Sequence, residues 1–231
     1  MSMRIGILGG TFNPIHHGHI YIADQTQQHL SLDQVIFLPS GDPPHKSTDT
    51  LVPAYHRLEM VRLAVEGHDH FLWSDREAES TDKSYTIHTL HSLKKERRGE
   101  LWFMVGLDAF QDIASWKSAE ELLSLTNFAV LSRPGHSFLK LPGIPFLPPI
   151  TGTQLHALER GEIDRLDIPT SQTTTLTILR LPPCHISASA IRERIGQDQD
   201  VSHWLPPKVE SYILQHHLYG AKGGNPSSKK M

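Results

Sequence analysis

One cysteine, Cys184, stands in 231 residues, so no disulfide can form within the chain and a reducing compartment is the expected setting. No apolar run approaches the roughly 18 residues that a membrane-crossing helix takes, and no charged start leads into an apolar segment. The sequence therefore reads as soluble, unexported and cytoplasmic. A strong excess of either charge is also missing, with 22 Lys and Arg against 25 Asp and Glu. A net charge of −3 leaves no electrostatic footprint for nucleic acid. There is no internal repeat. The length and a hydrophobic share of 38% suit one domain with its own core, as a monomer or a homodimer.

Two phosphate-binding fingerprints are absent as well. No G-x-G-x-x-G follows the first strand, and no G-K-[ST] follows a glycine loop. What stands there instead is a predicted strand over 4–8, the pair Gly9 and Gly10, then Thr11, a turn at Asn13-Pro14, and the histidines His16, His17 and His19. A helical pattern runs from Gly18 to about Leu30. Glycines admit a ligand close to the backbone. A helix start offers unpaired N–H groups and the positive end of the helix dipole. Imidazoles placed there donate to phosphate and gain charge as the ligand becomes more negative. The rival reading is a metal site on His16 and His19, one turn apart, but no Cys, Asp or Glu stands within four residues to complete the shell. With 16 histidines in the chain, structural histidines are the bland alternative. Anion binding fits best, and no metal ligands are assigned.

Residues 34–39 form a second strand, apolar throughout, as expected where both sheet faces are covered. Strand, helix and strand make a βαβ unit with parallel pairing and a right-handed crossover. The pattern then predicts a helix over 53–65 and a strand over 71–75. A helix capped by Ser84 and stopped by Gly99 follows, then a strand over 101–108. Further on come a helix from 115 to about 125, strands over 127–132 and 174–181, and helices opening at 186–192 and spanning 206–217. This alternation specifies an α/β fold, a central parallel sheet with helices on both faces. Residues 136–172, rich in Pro and Gly, read as a variable connection with one short helix at 155–159 and otherwise loops. Residues 220–231 read as a disordered tail, which leaves 1–219 as a single domain.

Ligands in such sheets gather outside the carboxyl ends of the strands. His45 and Lys46, held by Pro43-Pro44, follow the second strand there, and Gly106 and Asp108 close the fourth. Arg57 reads equally as a site contributor or a surface helix charge. Ser187 and Ser189 open a helix with Arg192 one turn in. Capping explains Ser187 alone. Two hydroxyls and an arginine fork also make a polyphosphate cradle.

Gly9 to His19 resembles the G-G-[ST]-F-D-P-x-H-x-G-H signature of the nucleotidylyltransferase superfamily, with Asn13 where Asp is usual. Ile186-Ser187-Ala188-Ser189-Ala190-Ile191-Arg192 resembles its second signature, I-S-S-T-x-I-R, with Ala188 for the middle Ser and Ser189 for the Thr. Pro43-Pro44-His45-Lys46, Ser84-Tyr85-Thr86 with Thr89-Leu90, and Val105-Gly106-Leu107-Asp108 with Ser115-Trp116 are similar to the branch that uses nicotinate mononucleotide. The resemblance spans 4–133 and 174–219.

It implies a Rossmann-like fold and transfer of the adenylyl group of ATP to nicotinate mononucleotide, with Mg2+ accompanying ATP. The implied catalytic set is His16, His19, Lys46 and Arg192. ATP would meet Gly9, Gly10, Thr11, His16, His19, Asp108, Arg133, Ser187, Ser189 and Arg192. The mononucleotide would meet His45, Lys46, Tyr85, Thr86 and Trp116, the indole offering a face for the ring and the backbone near Tyr85-Thr86 donating to its carboxylate. His17, at the variable position, is not expected to act. The alternatives are an adenylyltransferase or cytidylyltransferase with another acceptor, such as nicotinamide mononucleotide or phosphopantetheine, a His-rich metal hydrolase, and a non-catalytic nucleotide sensor.

Overall fold

A computed structural model describes residues 2–41, 51–79 and 84–222. Its seven strands are β1 (Arg4–Gly10), β2 (Gln34–Pro39), β3 (Phe71–Trp73), β4 (Glu100–Gly106), β5 (Asn127–Leu131), β6 (Arg165–Pro169) and β7 (Thr175–Leu179). They form one sheet in the order β3-β2-β1-β4-β5-β7-β6. The pairs β1/β4, β4/β5 and β5/β7 are parallel, and β6 joins β7 antiparallel. The α/β expectation therefore holds, with one antiparallel strand added.

The helices are α1 (His17–Leu30), α2 (Ala54–Val65), α3 (Thr86–Glu96), α4 (Leu107–Gln111), α5 (Ala119–Leu125), α6 (Gly152–Arg160), α7 (Ala188–Gly196) and α8 (Pro207–Gln215). Among the described residues none is long and apolar enough to cross a membrane.

The chain forms two compact units, each drawn from three stretches. The first comprises the described residues within 1–9, 22–36 and 84–184. Its core rests on strands apolar on both faces. All five residues of β5 are buried, as are five of the seven in β4. Gly6 of β1 belongs to this core, since a Cβ there would lie 2.7 Å from Leu32 Cδ1 and 3.0 Å from Met104 Sδ. The second unit comprises the described residues within 10–21, 37–79 and 185–222. In it α2 packs on α8, and α7 packs on a 3-10 turn at Leu218–Gly220.

Several boundaries shift from the sequence reading. The strand expected over 101–108 stops at Gly106, because Leu107 starts α4. Ser84 does not cap α3; Tyr85 holds that position without a side-chain bond, and the Ser84 hydroxyl is buried with no partner among the described residues. Trp116 follows a 3-10 turn at Ile113–Ser115 and lies outside a helix. The stretch 136–172 is far from mere loop. A 3-10 helix spans Phe138–Gly143, α6 begins with a capping box between Thr151 and Gln154, and β6 follows. Glu159 of α6 ties this together, accepting from Ser137 Oγ at 2.5 Å and Phe138 N–H at 2.6 Å. Gly220, placed in the tail by the sequence, closes the last 3-10 turn, and Ala221 is 7% exposed.

Candidate active site

In the second unit the loop after β1 turns sharply. Phe12 takes a left-handed φ of 48° and buries its ring beneath Gly10, where a Cβ would lie 3.0 Å from the Phe12 ring. The buried ring meets that of His19 edge-on at 5.0 Å. His16, 4% exposed, accepts the His19 N–H at its carbonyl, 2.9 Å away, and so begins α1. Its own N–H donates to His19 Nδ1 at 3.3 Å, and the two imidazoles stack with centroids 3.8 Å apart. A neutral ring that accepts at Nδ1 carries its proton on Nε2 and donates from there. His17 is exposed and only its backbone N–H is anchored, to the Trp204 carbonyl at 2.9 Å.

Two arginines reach this loop. Arg57 of α2 is 1% exposed, so it is neither a surface charge nor a group open to a ligand. Its guanidinium donates to the carbonyls of Thr11 at 2.8 Å, Ser40 at 2.6 Å, Gly41 at 2.7 Å and Val52 at 3.1 Å. It is a staple between the loop after β1 and the exit of β2. Arg192, in the first half of α7, donates from Nη1 to the Asn13 carbonyl at 2.8 Å, and its Nη2 lies 3.4 Å from Ser189 Oγ. Ser187 is the N-cap of α7, its hydroxyl accepting from the Ala190 N–H at 3.2 Å. Arg192 and Ser189 line a cavity of about 660 Å³ together with Leu51, Val52, Pro53 and Tyr219. Arg192, Ser189 and the His16–His19 pair thus share this unit. His45 and Lys46 lie outside the described residues.

In the first unit Asp108 sits in the first turn of α4, not at a strand end. Its carboxylate folds back over Gly106, where any Cβ would collide with it, and lies 3.5 Å from Arg133 Nε in a partly exposed ion pair. Gly9 rests on Phe103, whose ring meets the half-buried Trp116 edge-on at 6.1 Å. Tyr85 and Thr86 open α3, and Tyr85 is exposed. Lys117 Nζ sits 4.5 Å above the Tyr85 ring and 3.0 Å from His88 Nε2. Lys117 and Tyr219 escaped the sequence reading. Lys117 had one signal, adjacency to Trp116; Tyr219 had none.

No group of three or more His, Cys, Asp or Glu among the described residues is placed to hold a metal ion. A cytidylyltransferase-like family model matches residues 7–194. A probable nicotinate-nucleotide adenylyltransferase from Geobacter metallireducens is 39% identical over 220 residues, covering 94% of this chain and 98% of the relative. One from Synechococcus sp. (strain JA-3-3Ab) is 37% identical over 217 residues, 94% of each chain. Among solved structures, a Plasmodium falciparum nicotinic acid mononucleotide adenylyltransferase complexed with NaAD superposes with a TM-score of 0.68 at 19% identity, covering 94% of this chain and 98% of that one. At that identity the likeness is one of fold.

Proposed function

The chain belongs to the cytidylyltransferase-like family, and from that premise we propose that it transfers the adenylyl group of ATP to nicotinate mononucleotide, giving nicotinate adenine dinucleotide and pyrophosphate. One observation carries the nucleotide half of this reading. Arg192 bonds to Asn13 across 179 residues of sequence, so the His16–His19 loop and the α7 start serve one ligand. The acceptor rests on the names of the relatives above.

The acceptor's 5′-phosphate attacks the α-phosphorus of ATP and pyrophosphate leaves in line. The nucleophile is already an anion, so no general base is needed, and catalysis is positioning and charge neutralisation. His19, donating from Nε2, stabilises the charge on the α-phosphoryl oxygens. His16 binds beside it and fixes its ring by stacking. Ser187, Ser189 and Arg192 hold the β- and γ-phosphates, Ser187 through the helix start it caps. Gly9, Gly10 and Thr11 approach the nucleotide closely, and Asp108 with Arg133 shapes its ribose and base surroundings. His45 and Lys46 neutralise the approaching phosphates. Trp116 stacks on the nicotinate ring, and backbone N–H groups near Tyr85-Thr86 donate to its carboxylate. Further charge neutralisation at the triphosphate would be supplied by Mg2+ accompanying ATP, with no side chain of the protein assigned to hold it. We place the enzyme in the cytoplasm, in keeping with its single cysteine.

The test is pyrophosphate release with ATP and a panel of acceptors. Nicotinate mononucleotide should exceed nicotinamide mononucleotide and phosphopantetheine in kcat/KM by at least about tenfold, since an amide NH2 facing N–H donors forfeits a bond and leaves a donor unpaired. Equal use of the amide would overturn the acceptor, and no release with any acceptor would overturn the activity.

A further inference from the structure

We infer that Tyr219 is a positioning residue for Arg192, acting through Asn13 and not on the substrate. The inference rests on the proposed use of Arg192 to hold ATP phosphates. Three groups converge on Asn13, which is 7% exposed. The Tyr219 hydroxyl donates to Asn13 Oδ1 at 2.9 Å, and the Val52 N–H donates to the same oxygen at 3.3 Å. From the other side, Arg192 Nη1 donates to the Asn13 backbone carbonyl at 2.8 Å. The group that aims the guanidinium is thus a peptide carbonyl whose own residue is gripped by its side chain. With Nη1 on that carbonyl and Nη2 3.4 Å from Ser189 Oγ, two points set the plane of the fork and so the direction of its remaining donors. Arg192 and Tyr219 line the same cavity, so that plane decides what a polyphosphate there would meet.

The backbone around the phenol supports a dedicated role. His217, Tyr219 and Gly220 all take left-handed φ values of 51°, 57° and 77°. Tyrosine rarely enters that region, and the conformation persists only where the surroundings hold it. The 3-10 turn containing it packs on α7, the helix that carries Arg192. Burial pushes the phenol's pKa up from its ordinary value of 10, against the pull of Arg192 and Arg57, so it stays a neutral donor through the working pH range.

Tyr219→Phe keeps the ring and removes one oxygen. In the pyrophosphate assay it should raise KM for ATP by about tenfold, the effect of one misaligned charged hydrogen bond, and change KM for the mononucleotide by less than about twofold. Combined with Arg192→Ala it should add nothing further, because the residue it positions is gone. A loss that multiplies equally in both backgrounds, or that falls alike on both substrates, overturns the inference. Asn13→Ala removes the acceptor in place of the donor and must show the same ATP-selective loss; an unselective loss counts against it. If the wild type releases no pyrophosphate with any acceptor, the proposed activity fails by itself. The inference then stands or falls on calorimetric binding of inorganic tripolyphosphate, which Tyr219→Phe must weaken by a like factor only while Arg192 is present.

Discussion

Replacing Arg57 by methionine asks how the loop after β1 is held in place. The guanidinium is 1% exposed and donates to four carbonyls at 2.6 to 3.1 Å. Methionine fills the space of the stem and brings no donor. Hydrogen bonds from a charged donor are worth about 1.5–3 kcal/mol each, so the gross loss is about 6–12 kcal/mol. Two effects reduce it. Burying the guanidinium costs several kcal/mol, a penalty the variant no longer carries. Of the four residues that accept, only Gly41 is buried, while Val52, Thr11 and Ser40 are half-buried and within reach of water. A net loss of about 3–5 kcal/mol remains, in line with breaking a buried hydrogen-bond network. For a chain of this length that is a fall of about 6–20 °C in the melting midpoint. Arg57→Lys keeps the charge on a compact ammonium and should recover only part of it. Urea unfolding followed by circular dichroism reads the difference. Arg57→Met within about 1 kcal/mol of the wild type, the worth of an exposed ion pair, would refute the reasoning.

His19→Ala should lower kcat by roughly 10²–10³ with little change in either KM, the loss expected for one donor to the transition state; steady-state kinetics with full activity retained would remove His19 from the chemistry. Trp116→Ala should raise KM for the mononucleotide by roughly tenfold and leave that for ATP nearly unchanged, in the range of one lost stacking contact. Equal effects on both would mean that the indole only buttresses Phe103. His56 sits in an aromatic cluster with Tyr212 and His216, and burial, then the neighbouring His216, lowers its pKa from 6.5. The folded state then binds this proton less readily than the unfolded chain, so its share of stability is whole above pH 6.5 and is lost as pH falls through and below that value. Melts at about pH 7.5 and about pH 5 should show a smaller drop for His56→Gln than for the wild type, and an identical drop would exclude His56 as a source.

The sheet was legible where burial is two-sided. Apolar runs such as Val35 to Leu38 and Phe128 to Leu131 have only one comfortable place in a folded chain, a strand covered on both faces, and they sit there. β6 was not legible. Arg165-Leu166-Asp167-Ile168-Pro169 buries only its second and fourth residues, carries an Arg165–Asp167 ion pair on its exposed side, and ends in proline. Each trait suits an edge strand and reads as loop in isolation. The early end of β4 has a similar cause. Leu107 continues the apolar run of the strand, but it turns into α4, and its burial satisfies both readings. Periodicity cannot separate a strand end from a one-turn helix when the residue is buried in either.

The site divides along the same line between local and distant causes. The glycine pair, the histidines and the Ser187 cap are local devices, each acting within a few residues, so the turn and the helix starts they make are legible from spacing. Arg57 and Tyr219 act over distance. Arg57 reaches a carbonyl 46 residues away and Tyr219 a side chain 206 residues away, and no pattern around either announces it. Asn13 joins the two kinds. By comparison with the family signature it is a lost carboxylate. In the structure its amide oxygen takes two donors and its carbonyl takes Arg192, work that needs acceptors and no charge. A carboxylate there would offer Arg192 a competing partner beside the carbonyl that now aims it. The neutral side chain brings no second anionic partner to Arg192, so the departure from the signature is a change in how the loop is held.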